Sequence, residues 1–231
     1  MNEIITINFS GLCGNCYLVR SNDNYVLIDT ATKSKRKILE RRLSEHGCTP
    51  GKLKLILLTH GDFDHSGNAV YLKSRYNCPI GMHKDDAVIT ERGNMYINKN
   101  QKSLVADIFT RIFLKIDTFS PDLFLDENTD LKEYGIDAQI LYIPGHSAGS
   151  IGVLTEENDL ICGDLFENRK YPRLYYVDDE KQVEHSLKKV EKHNVNTVYP
   201  GHGRSFMFSD FLKGNNYLSG EKELPPPSSK I

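Results

Sequence analysis

The 231-residue sequence predicts a layered α/β domain, and three observations lead there. Short alternating or wholly apolar runs recur along the chain, stretches of helical spacing separate several of them, and residues suited to hold a metal ion fall directly after apolar runs. The stretch "LLTHGDFDHSGN", residues 57–68, joins all three. It places His60, Asp62, Asp64 and His65 immediately behind the run "LILL".

The elements follow in order. "EIITINF", "CYLVRS" and "YVLIDT" predict three short strands joined by turns containing Gly and Asn, an antiparallel meander. A helix is expected over residues 34–46, where Ile38, Leu39 and Leu43 recur at helical spacing and "GCTPGK" provides the stop. "LKLILLT" then predicts a buried strand, "GNAVYLKSRYN" a helix and "PIGM" a further strand, so the order is strand, ligand-bearing loop, helix, strand. From residue 83 to 121 the pattern turns to polar helical segments, notably "KSLVADIFTRIFLKI", read as a helical insertion or lid. Strand patterns return at "DLFL", "IDAQILYI", "SIGVLTE" and "DLICGD"; a charged helix is expected over residues 179–193, and "VNTVYP" precedes "GHG". Residues 1–218 are read as one domain and 219–231, proline-rich and polar, as a flexible tail.

Composition narrows the function. With 29 basic against 31 acidic residues there is no global field to draw a nucleic acid or an anionic membrane. No window approaches the roughly 18 apolar residues of a membrane span, and no leader pattern opens the chain. A cytoplasmic protein acting on a small-molecule substrate is expected. Five cysteines form no disulfide framework. Cys13 and Cys16 make a C-x-x-C, but no second pair completes a tetrahedral zinc site, so the motif is read as a turn entering a strand. His46, His83, His185 and His193 are read as surface histidines, because they lack Gly-flanked or acidic companions.

Four predicted strand ends carry the chemistry. "LILLTHGDFDH" ends in His60, Asp62, Asp64 and His65, "ILYIPGHSAGS" in His146, "LICGD" in Asp164 and "TVYPGHG" in His202. In layered α/β folds, loops beyond one end of the strands converge on a crevice, which brings side chains remote in sequence together.

Thr-His-x-x-x-Asp-His, followed in order by Pro-Gly-His, Gly-Asp and Pro-Gly-His-Gly, resembles the metallo-β-lactamase superfamily, whose signature is His-x-His-x-Asp-His. The resemblance extends to "GNCYLV", to "YVLIDT" and to Asp29 at its end. It implies a four-layer αββα sandwich with two mixed β-sheets and two divalent metal ions, zinc first and iron or manganese as alternatives. Carried over by position, His60, Asp62 and His146 hold the first ion, Asp64, His65 and His202 the second, and Asp164 bridges them.

Asp62 departs from the signature, which has histidine there. A carboxylate adds negative charge and a harder donor, favouring iron or manganese over zinc, and its shorter reach raises the alternative of a single-ion site. The expected activity is metal-assisted hydrolysis of an ester, thioester, lactone or phosphoester, in which activated water attacks and Asp64 orients it. An iron-containing oxidoreductase and a non-catalytic metal-binding module stand as alternatives. In "LFENRKYPRLYY", Arg173 and Tyr175 are the expected substrate contacts.

Overall fold

The computed structural model describes residues 2–11, 13–100 and 117–214. Strands β1 (Glu3–Ile7), β2 (Cys16–Ser21) and β3 (Asn24–Ile28) form the expected antiparallel meander. Helix α1 (Arg36–Glu45) leads into β4 (Leu53–Leu57), which pairs parallel with β3. The ligand loop contains a single helical turn, α2 (Phe63–Ser66), and then come α3 (Ala69–Tyr76), β5 (Ile80–Met82), α4 (Lys84–Arg92) and β6 (Leu123–Phe124). These six strands form one sheet in sequence order, with β3 to β6 all parallel.

The second sheet is built from β7 (Ala138–Tyr142), β8 (Ile151–Thr155), β9 (Leu160–Ile161), β12 (Thr197–Tyr199) and β14 (Phe206–Met207). Its order is β14-β12-β9-β8-β7. A small third sheet joins β10 (Phe166–Asn168), β11 (Arg173–Leu174) and β13 (His202–Gly203). Helix α5 (Glu180–Lys192), capped by the Asp179 carboxylate on the Gln182 N–H, and α6 (Phe208–Gly214) complete the described chain.

Three buried clusters define the layers. Leu39, Leu43 and Leu72 of the helices pack with Leu18, Leu27 and Ile56 on the outer face of the first sheet. Tyr17, Val19, Ile28, Leu55 and Leu57 of the first sheet meet Ile140, Ile151, Val153 and Ile161 of the second. Val183, Leu187 and Val190 of α5 cover the far face of the second sheet against Leu141 and Leu154. Alternate residues of one strand therefore face different clusters, Leu27 outward and Ile28 inward, as a pleat of period two requires. Each fully buried Leu or Ile contributes roughly 1.5–3 kcal/mol of transfer free energy. The result is the αββα sandwich.

Strand direction decides where the site is. Strands β3 and β4 run parallel. In the second sheet β7 and β9 both run antiparallel to β8, hence alike, and β12 is parallel to β9. The C-terminal ends of β7, β9 and β12 thus open toward one edge, where they meet the ends of β3 and β4.

One expectation is corrected. His83 is not a surface histidine: it is buried, stacks on Tyr142 with ring centroids 4.5 Å apart, and caps α4 by accepting from the Asp85 N–H. Within the segment 83–121, Asp86 of α4 and Lys99 are buried and reach the loops that carry the site. The stretch "KSLVADIFTRIFLKI" and the tail 219–231 lie outside the described residues. All five cysteines are free and buried, Cys13 and Cys16 within the outer core cluster.

Candidate metal centre

Two groups of metal-ligand atoms form at the shared edge. His60, His146 and Asp164 make one; Asp64, His65 and His202 make the other, and within each group the ligand atoms lie within 4.8 Å of one another. Asp164 lies between them. Its Oδ1 faces His65 Nε2 at 3.2 Å and His202 Nε2 at 3.5 Å, while Oδ2 faces His60 and His146 at 3.8 Å each. Asp64 Oδ2 is 3.3 Å from His202 Nε2. All these side chains are buried.

Three of the four imidazoles are oriented by their other ring nitrogen. His65 Nδ1 lies 2.8 Å from Asp29 Oδ2, and His146 Nδ1 lies 3.1 Å from the Tyr176 carbonyl. Both partners only accept, so each Nδ1 carries the proton. The Thr59 hydroxyl donates to Asp29 Oδ2 at 2.8 Å and so accepts from His60 Nδ1 at 3.0 Å. In each case Nε2 is left to face the centre, the arrangement that metal-bound histidines use.

Asp29 earns this position through its backbone. It has φ +60°, a left-handed conformation tolerated best by Asn and Asp, and from there its carboxylate accepts from the Thr59 N–H at 2.8 Å as well. Asp29→Asn is expected to weaken metal binding about 10- to 100-fold with the fold intact, because the His65 ring loses its charged partner. Competition against a chromogenic chelator measures it, and unchanged affinity would contradict the role.

The turns carrying His146 and His202 are held as firmly. The Asn15 side chain donates to the carbonyls of Pro200 and Gly203 at 3.0 and 2.9 Å, and the Tyr17 hydroxyl to Pro200 at 2.6 Å. "GNCYLV" therefore positions His202 across the molecule. Gly201 has to be glycine, since a Cβ there would stand 1.9 Å from Asp164 Oδ1. Buried Asp86 of α4 accepts from the Gly61 N–H at 3.0 Å, the Ser147 hydroxyl at 2.7 Å and the Gly149 N–H at 2.7 Å. It ties the loop after β4 to the turn after β7. Neither Asp86 nor Asn15 stands out in sequence, for their role is to reach backbone far along the chain.

Asp62 has a different neighbour. Its Oδ2 lies 3.2 Å from His146 Nε2 and 3.8 Å from His60 Nε2, but the Lys99 ammonium donates to that same oxygen at 2.6 Å. Lys99 Nζ is also 3.4 Å from His146 Nε2. This buried ion pair was invisible to sequence reasoning; only a carboxylate in place of histidine at 62 hinted that a cation was needed.

Charge follows the geometry. Burial drives the His60 pKa well below the ordinary histidine value, with His65 and His146 adding to the effect. Burial also disfavours charged His65 and His202, yet Asp164 with its neighbouring carboxylates outweighs it, raising His65 well above the usual range and His202 to about 9. Against burial, His202 and His65 hold Asp164 well below the carboxylate range. Burial likewise opposes charge on Asp62 and Lys99, but their mutual attraction prevails, lowering the Asp62 pKa and raising that of Lys99. The half formed by Asp64, His65, His202 and Asp164 thus attracts positive charge.

Fit to a metal can be judged from orphaned atoms. The Nε2 atoms of His60, His65 and His202 and Asp164 Oδ1 are buried without a hydrogen-bond partner. Buried polar atoms are almost always partnered, so a cluster of bare lone pairs fits a cation.

The expected substrate contacts separate. Tyr175 lies over the centre, its ring centroid 4.9 Å from that of His202 and parallel to His146 at 6.4 Å. Arg173 Nε is bound to Glu167 at 2.5 Å and its guanidinium lies over Tyr171. Arg169, which donates to the Tyr175 hydroxyl at 2.9 Å, lines a cavity of about 270 Å³ beside His202, together with Asn8, Asn15, Asn168 and Arg204.

An αββα domain with histidines and aspartates gathered where strand ends of both sheets meet defines the class. The family model for the metallo-beta-lactamase superfamily matches residues 11–202, and the chain belongs to that superfamily. It is 32% identical over 216 residues to hydroxyacylglutathione hydrolase GloC of Haemophilus influenzae, covering 90% of this chain and 93% of the relative. A probable metallo-hydrolase of Methanocaldococcus jannaschii is 28% identical over 205 residues, 87% of this chain and 92% of the relative. Among solved structures, the di-iron-bound form of TTHA1623 superposes with a TM-score of 0.69 at 26% identity, covering 93% of this chain and all of that one. The BLEG-1 B3 metallo-beta-lactamase superposes with a TM-score of 0.73 at 20% identity, covering 94% of this chain and all of that one, a likeness of fold. No described helix is long and apolar enough to cross a membrane.

Proposed function

We propose that the protein is a metal-dependent hydrolase that cleaves an ester-type bond, with thioesters foremost, in a small substrate. The observation that carries this reading is the cluster of bare, buried Nε2 and carboxylate atoms described above. Similarity to a relative named for hydroxyacylglutathione hydrolysis supports the thioester. A bound divalent ion, zinc by preference, would supply Lewis acidity, polarising the electrophilic oxygen and lowering the pKa of water.

The chain's own residues do the rest. His65, His202, Asp64 and Asp164 hold the cation, and Asp64 is placed to accept a proton from the attacking water. Tyr175 covers the centre and restricts bulk water. The adjoining cavity receives the remainder of the substrate, where the exposed Arg204 favours an anionic or carbonyl-rich group. No nucleic acid or membrane partner enters this reading.

The test uses purified protein with a hydroxyacylglutathione thioester, a p-nitrophenyl ester and bis(p-nitrophenyl) phosphate. Turnover of the thioester that is lost on chelation and restored by zinc is expected. Absence of turnover with all three, or turnover indifferent to chelation, would overturn the proposal.

A further inference from the structure

The two halves of the centre are not equivalent. In the half formed by Asp64, His65, His202 and Asp164, both imidazole Nε2 atoms and Asp164 Oδ1 have no partner. In the other half His60 Nε2 is bare as well, but the Lys99 ammonium stands 2.6 Å from Asp62 Oδ2 and 3.4 Å from His146 Nε2, so a cation already faces two of the three ligands that the resemblance assigned to the first ion. Lys99 is held there from both sides. The Asn98 side chain donates to the Asp85 carbonyl at 2.8 Å, and the Asn100 N–H donates to Asp178 Oδ2 at 2.8 Å. With only 8% of its side chain exposed, Lys99 is built into the site and does not sample solvent freely.

A metal ion bound to His146 would sit about 2.0–2.1 Å from Nε2. The ammonium occupies the approach to that same atom, and two cations cannot share it without strong repulsion in a buried site. Charge leads to the same conclusion. Asp62 with Lys99 is a neutral pair, electrically equivalent to the neutral histidine of the family signature. Asp64 and Asp164 then balance one divalent ion.

We propose that Lys99 stands in place of the first metal ion, so that each chain holds a single divalent ion, on Asp64, His65, His202 and Asp164. Asp62 is then the partner of Lys99 and not a metal ligand. This rests on the metal-centre reading above, and it weakens the case for an iron oxidoreductase, whose motive was Asp62 as an oxygen donor to an ion.

The experiment counts ions. Metal-free protein is titrated calorimetrically with zinc chloride, and the zinc retained after gel filtration is measured by elemental analysis. One zinc per chain is expected for the wild type. Lys99→Met should take up two, and so should the double variant Asp62→His with Lys99→Met, which restores the family signature and guards against misfolding of the single variant. Circular dichroism monitors folding in each. Two tight zinc ions in the wild type would overturn the proposal, as would a single zinc in both folded variants. No zinc in the wild type would overturn the metal-centre reading itself, a failure distinct from finding two.

Discussion

His202→Ala is expected to lose the bound ion and with it all hydrolytic turnover, while keeping the αββα fold. The buried imidazole lies at a turn after β12, 3.3 Å from Asp64 Oδ2 and 3.5 Å from Asp164 Oδ1, and its Nε2 has no other partner. Alanine leaves His65 as the sole nitrogen donor of that half. Changes in residues that merely support a ligand lower metal affinity about 10- to 100-fold, so loss of the ligand itself should exceed about 100-fold. The turn itself should survive, since Asn15 and Tyr17 hold it through the carbonyls of Pro200 and Gly203 and not through the ring. Zinc content after gel filtration and the far-ultraviolet circular dichroism spectrum check both halves of the expectation. Wild-type zinc retention in this variant would contradict the assignment.

The largest stability effect is expected from Asp86→Ala, at about 3–5 kcal/mol in the metal-free protein. Asp86 is fully buried, and its carboxylate is the acceptor for three buried donors on two loops: the Gly61 and Gly149 N–H groups and the Ser147 hydroxyl. Removing the acceptor leaves these buried donors without their partner, and each unsatisfied donor costs roughly 1–3 kcal/mol. The Ser147 hydroxyl can fall back on Ser150, 2.7 Å away, which holds the sum below the maximum. Urea unfolding measures the effect, read from the midpoint at constant slope. A loss under about 1 kcal/mol would show that the two loops hold their positions without this carboxylate. Because Gly61 follows His60 and Ser147 follows His146, the same variant should also weaken zinc binding.

The correspondence between sequence and structure has a physical basis in particular residues. The strand ends bearing His60, His146, Asp164 and His202 were legible because a buried strand is an uninterrupted apolar run, and a polar ligand after "LILL", "ILYI" or "LIC" marks where burial by the sheets stops. Helix α5 was legible as a charged helical stretch, and the observed Asp179 cap and His193 end agree with the expected span. His83 was misread because local sequence does not show that Tyr142 lies across from it. Arg173 and Tyr175 looked alike in the segment "YPRLYY", yet Glu167 binds the arginine while the tyrosine lies over the histidines.

The sequence alone determined the superfamily, through ordered short motifs that are local, and the layer order followed from that resemblance, while period-two and helical spacing marked the individual strands and helices. Which of the 29 basic residues would meet Asp62 was decided by the tertiary structure, as were the partners that orient each ring. Lys99 and Asp62 are 37 residues apart, and nothing in the composition of either neighbourhood specifies their contact. Electrostatic complementarity inside a protein acts through space, and only the folded chain sets those distances.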